Sequence, residues 1–158
     1  MGKAYKREIA QLVEAPSWGG LFRVPAADSA REYPLVLPDG TGKADFCYDL
    51  GQSGKLFIED DDDARALANL VKYWRWCLEH PEQRPVHLVH IIGAVSGLQI
   101  GHCCFLKTRM ERDLAKHGFR YHLITIDGWD APEKCLPKLR EVLDAVSREV
   151  AGEATAGA

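Results

Sequence analysis

Two short stretches decide how this chain is read: Ala44-Asp45-Phe46-Cys47-Tyr48-Asp49-Leu50 and Lys55-Leu56-Phe57-Ile58-Glu59-Asp60-Asp61. Only Gly51-Gln52-Ser53-Gly54 lies between them, a composition suited to turning the chain. Both read as strands, and so short a link joins them as an antiparallel hairpin. Side chains alternate along a strand. Phe46, Tyr48 and Leu50 therefore share one face, with Asp45, Cys47 and Asp49 opposite. In the second strand Leu56, Ile58 and Asp60 share a face, and Lys55, Phe57, Glu59 and Asp61 share the other. The hairpin brings Asp45 toward Glu59, with Asp61 two residues farther along. Carboxylates gathered in this way repel one another and favour a cation or a proton between them. Asp45, Glu59 and Asp61 are the candidate catalytic and metal-ligating residues, and an all-oxygen set of this kind suits Mg²⁺ or Mn²⁺.

Outward from the hairpin the elements alternate. Upstream, Tyr5 to Glu14 is an amphipathic helix with Tyr5, Ile9, Leu12 and Val13 on one face, ended by Pro16. A brief strand is expected at Leu21 to Val24, and a firmer one at Tyr33 to Leu37, closed by Pro38-Asp39-Gly40. Downstream, Asp62 or Asp63 caps a helix to Glu79, with Leu67, Leu70, Val71, Trp74, Cys77 and Leu78 at helical spacing. Val86 to Ile92 is a continuous apolar run, as in a strand buried on both faces. A helix over Leu98 to His117, a strand over Phe119 to Ile126 and a helix over Glu133 to Val150 follow, with Pro137 expected in the first turn of the last. Strands joined by turns pair antiparallel, and strands separated by helices pair parallel. The fold class is α/β, a mixed β-sheet flanked by helices, as a single domain over residues 1–151 with a flexible tail at 152–158.

Composition bounds the function. The chain has 158 residues, a net charge of −3 and 46% hydrophobic residues. That balance gives no global attraction to nucleic acid or membrane, so a polyanion would need a local basic patch. The five cysteines form no CxxC pair and read as reduced, mostly buried small side chains. No apolar run approaches 18 residues, and no apolar segment follows the basic N-terminus, so the expectation is no membrane and a cytoplasmic location.

The order helix, three strands, helix, strand resembles the core of the PD-(D/E)XK superfamily, the restriction-endonuclease-like fold, here with an added αβα extension. Asp45 matches the family's Asp, preceded by Ala44 in place of Pro, and Glu59 matches its (D/E). Asp61 stands where the Lys is expected, the main departure; Lys55 on the same strand or Lys72 on the next helix is then the substitute. Asn69-Leu70-Val71-Lys72-Tyr73 loosely matches the family's Q-L-x-x-Y helix segment, and Glu8 or Glu14 matches its first-helix Glu. The resemblance implies a metal-dependent nuclease with DNA as partner; many members are dimers. The alternative is a catalytically silent member of this fold that binds a protein partner.

Other signals carry competing readings. The run Glu59 to Asp63 stands before a helix, where acidic residues cap free N–H groups and complement the helix dipole, so a solvated acidic corner is the alternative to a metal site. Lys72 and Arg75 beside Tyr73, Trp74 and Trp76, together with Lys107 and Arg109, are the candidate nucleic-acid contacts; core packing and a solvated face are the alternatives. His87 and His90 fall on opposite strand faces and suggest no zinc site. Gly93 to Gly97 lies between a strand and a helix, where an anion could bind, but lacks the P-loop Lys.

Overall fold

The computed structural model describes residues 3–25, 30–61, 63–83, 85–93, 96–126 and 132–156. Its elements are α1 (Lys3–Val13), β1 (Arg31–Leu37), β2 (Gly40–Asp49), β3 (Lys55–Asp61), α2 (Asp63–Glu79), β4 (Val86–Gly93), α3 (Gly97–Asp113), β5 (Phe119–Ile126) and α4 (Pro132–Ala156). One mixed sheet has the order β1-β2-β3-β4-β5. β1 to β3 form an antiparallel meander, and β4 and β5 add in parallel. The division follows from the connections: turns link the first three strands, and helices link the last three.

Each face of the sheet is covered by two helices. Tyr5, Ile9 and Val13 of α1 and Leu139, Leu143 and Val146 of α4 pack on Phe46, Tyr48, Ile58, Val89 and Ile91. Leu70, Tyr73 and Trp76 of α2 and Cys103 and Met110 of α3 pack on Phe57, Leu88, Ile92 and Phe119. β4 is buried along its whole length, which is why it reads as unbroken apolar sequence. Gly54 fits the hairpin for two reasons: its φ is +89°, and a Cβ there would lie 1.7 Å from the Pro85 carbonyl oxygen.

Several boundaries differ from the sequence reading. The expected strand at Leu21 to Val24 is a single bridge, Arg23 to Asp49. The helix expected to reach His117 ends at Asp113, followed by a short 3₁₀ turn, Ala115–His117, closed by Gly118 at φ +64°. α4 begins at Pro132 and runs to Ala156, past the expected end at Val150, so Pro137 falls inside the helix beyond its first turn. A proline there removes one backbone hydrogen bond. Asp63 is the first residue of α2; Asp62, the alternative cap, lies outside the described residues, as do Ala94 and Val95 of the glycine loop.

Candidate functional site

The acidic residues converge where β2 and β3 part. The β2–β3 ladder ends at Phe46 opposite Ile58. Beyond it, the Asp60 backbone N–H donates to Asp45 Oδ2 at 3.1 Å, so a carboxylate takes the place of a strand carbonyl. On the other side of β2, Arg31 pairs with Phe46 and Tyr33 with Ala44, and the intervening Glu32 adopts a φ of 52°. This is a left-handed backbone that a non-glycine residue seldom takes. The pleat breaks at the same level. Ala44 packs in the α2/α3 core and Phe46 in the α1/α4 core, although strict alternation would put both on one face. Asp45 therefore stands at a fork. It raises the proton affinity of Glu59 on one face and of Asp60 on the other. The expectation that Asp45 shares a face with Cys47 is corrected by this break.

Glu59 and Asp61 share one face, as alternation predicts; it is the face that α2 covers, and both are buried. Lys72 Nζ donates to Glu59 Oε1 at 2.7 Å, and the Tyr73 hydroxyl donates to the same oxygen at 2.6 Å. Burial pushes the Glu59 carboxyl above the usual range, against the opposing pull of Lys72 and Tyr73. Lys72 is held further by the Lys43 carbonyl at 2.6 Å and lies 5.0 Å from the Tyr73 ring centroid. Its stem crosses Gly42, where an added Cβ would lie 3.1 Å from Lys72 Cδ.

Asp61 is held from two sides. Asn69 Nδ2 donates to its two oxygens at 2.7 and 2.6 Å, and His90 Nε2 lies 2.8 Å from Oδ2. His90 Nδ1 lies 2.9 Å from the Tyr121 hydroxyl. An ionised carboxylate only accepts, so Nε2 carries the ring proton; in the neutral ring Nδ1 accepts from Tyr121. Burial would raise the Asp61 carboxyl, but the bonds from His90 and Asn69 outweigh it and hold the group below its ordinary value. Asn69, Lys72 and Tyr73 are spaced i, i+3, i+4, so one face of α2 supplies all three donors.

On the α1 face Lys6 Nζ pairs with Asp45 Oδ1. Both oxygens of Asp60 are buried and lack a hydrogen-bond partner among the described residues. Burial, then the Asp45 charge, pushes the Asp60 carboxyl up to about 7.

The remaining candidates are more distant or less free than expected. Tyr73 and Trp76 are core residues, and Trp74 is partly buried. Arg75 is exposed and pairs with Asp39. Lys107 and Arg109 lie in the second half of α3, which starts near the acidic end of β4 and runs back along the sheet. At 1.5 Å per residue, Arg109 is roughly 20 Å along that axis from Ser96. Arg109 stacks on Phe105 at 5.2 Å. Lys55 pairs with Asp49 at 2.5 Å, at the opposite end of β3 from Glu59. Glu14 accepts from the Tyr48 hydroxyl at 3.1 Å. His90 serves as a partner of Asp61, and Lys6 is an addition to the candidate set. A histidine inside the apolar run of β4 was the available signal for the first. Lys6, next to the apolar stripe of α1, gave only a rim position.

Asp45 and Glu59 offer oxygen donors of the kind a hard divalent ion takes, and an ammonium group lies beside each, Lys6 at Asp45 and Lys72 at Glu59. Among the described residues no group of three or more His, Cys, Asp or Glu is placed to hold a metal by itself. An ion here would complete its shell with water or substrate oxygens, as Mg²⁺ commonly does. No helix among the described residues is long and apolar enough to cross a membrane. Comparison with protein-family models, curated proteins and solved structures finds no match to this chain.

Proposed function

We propose that this chain is a divergent PD-(D/E)XK nuclease that hydrolyses phosphodiester bonds, with DNA as its first substrate class and Mg²⁺ or Mn²⁺ held by Asp45 and Glu59. The observation that carries this reading is Lys72 on Glu59. The strand offers Asp61 where a lysine is expected, and α2 supplies an ammonium to the neighbouring carboxylate at 2.7 Å. A bound divalent ion would polarise a phosphoryl oxygen and acidify an attacking water. Lys72 holds a fixed positive charge beside Glu59, suited to a phosphate oxygen. Asp61 is engaged by Asn69 and His90, so its role is to position β3 against α2. Asn69 and Tyr73 occupy the positions of the Q-L-x-x-Y resemblance and face the acidic strand, which also supports the reading.

A silent binding module is the second reading. It is favoured by the internal donors that already satisfy Glu59 and Asp61. The deciding experiment incubates the protein with supercoiled plasmid, circular single-stranded DNA and RNA in Mg²⁺ or Mn²⁺. Metal-dependent cleavage that falls roughly 10²-fold or more in Glu59→Gln and Lys72→Met is the expected result. No cleavage of any substrate, or cleavage unaffected by both substitutions, rejects the nuclease.

A further inference from the structure

The two ammonium groups beside the acidic fork are held differently. Lys72 has a side chain 16% exposed and three engagements: Glu59, the Lys43 carbonyl and the Tyr73 ring. Lys6 has a side chain 34% exposed, and its described hydrogen bond is to Asp45. It sits near the start of α1 on a flexible four-carbon stem. Lys72 is a fixed charge, and Lys6 is one that can leave.

Asp45 is where the positive charge is needed. Its Oδ2 takes the Asp60 N–H, its Oδ1 takes Lys6, and the Asp60 carboxylate stands next to it without a hydrogen-bond partner among the described residues. Two adjacent carboxyl groups in one fork favour a cation or a proton beside them. Lys6 supplies that charge now, and a divalent ion on Asp45 would have to displace it.

Resting on the metal-site reading above, we propose that Lys6 is a displaceable counter-ion that closes Asp45 to free metal and moves to the substrate phosphate when metal arrives. No covalent step is involved; one ion pair exchanges for another. The exchange couples the two ligands. Phosphate that draws Lys6 away raises the metal affinity of Asp45, and metal that expels Lys6 frees an ammonium for phosphate. Such coupling is reciprocal.

The test is Mn²⁺ binding by titration calorimetry without nucleic acid, on wild type, Lys6→Met, Lys6→Gln and Lys6→Arg, each alone and with Asp45→Asn. A part-exposed ion pair competes by a factor of about five at most, and removing a positive charge beside the ion adds to this. Lys6→Met and Lys6→Gln should therefore bind Mn²⁺ about fivefold more tightly or better, Lys6→Arg should match wild type, and Asp45→Asn should remove binding in every background. Binding by Lys6→Met where wild type shows none also supports the exchange. Equal or weaker binding in Lys6→Met and Lys6→Gln, still lost with Asp45→Asn, overturns the counter-ion and leaves the metal site standing. No Mn²⁺ binding by any variant, or binding that survives Asp45→Asn, overturns both.

Discussion

Removing the Lys72 ammonium should destabilise the fold in a way that depends on pH. The Glu59 carboxylate is 3% exposed, and Lys72 Nζ lies 2.7 Å from it. At an effective dielectric constant near 20, that separation corresponds to an attraction of about 6 kcal/mol, most of which offsets the desolvation of the two charges. Taking one partner from a buried pair costs about 3–5 kcal/mol; the partial exposure of Lys72 places this pair lower, at about 2–3 kcal/mol. A proton can replace the lysine. Burial already raises the Glu59 carboxyl, so the folded state binds this proton more tightly than the unfolded chain. Its contribution to stability is fully present at low pH and is lost as pH rises through the folded value. Without Lys72 that folded value climbs further, so Lys72→Met should be costly at pH 8 and much less so at pH 5. Urea unfolding of wild type, Lys72→Met, Glu59→Gln and the double variant gives the coupling directly. We expect about 2 kcal/mol at pH 8 and a clear decrease at pH 5. A coupling below about 0.5 kcal/mol at pH 8, or one independent of pH, would refute the pairing and the site built on it.

Three further outcomes are expected. The His87 and His122 rings stack at 5.9 Å on the α4 face, and burial, reinforced by His87, pushes His122 down to about 4 from an ordinary 6.5. Its neutral form therefore contributes stability that is complete above pH 6.5 and lost as pH falls toward 4. In urea unfolding, His122→Phe should avoid about 2–3 kcal/mol of the wild-type loss between pH 7 and pH 4.5. Gly42→Ala, which places a Cβ 3.1 Å from Lys72 Cδ, should cost less than about 1 kcal/mol in stability yet shrink the Lys72–Glu59 coupling measured in the same cycle. Tyr121→Phe leaves His90 Nδ1 buried without its hydroxyl partner and should cost about 1–3 kcal/mol by the same assay.

Local rules reached most of the fold because each strand carries its own signal. The tight Gly51 to Gly54 link dictated an antiparallel hairpin, and the unbroken apolar run at Val86 required a strand covered on both faces. Alternation placed Glu59 and Asp61 on one face with Phe57, and the Q-L-x-x-Y resemblance marked the segment from Asn69 to Tyr73 that meets them. Alternation misplaced Asp45. The rule assumes a continuous pleat, and here the pleat breaks opposite Glu32, whose left-handed φ no residue preference announces. The partners of the acidic cluster were harder to read for another reason. Lys6 is 39 residues from Asp45, and His90 is 29 from Asp61. Such pairings depend on how α1 and β4 pack, not on any local pattern.

The break at Asp45 also bears on why the residues gather where they do. A regular ladder would satisfy the Asp60 N–H with a strand carbonyl and leave Asp45 on one face, near either Glu59 or Asp60 but not both. Ending the ladder at Phe46 gives that N–H to a carboxylate and turns Asp45 into the link between the α1 and α2 faces. The cost of crowding Asp45, Glu59 and Asp60 is offset by cations from two different helices, Lys6 from α1 and Lys72 from α2. An acidic corner whose only work was to cap α2 would need neither the left-handed residue opposite nor lysines from two layers. A site that keeps Lys72 fixed and exchanges Lys6 for a metal ion, as proposed above, would use both.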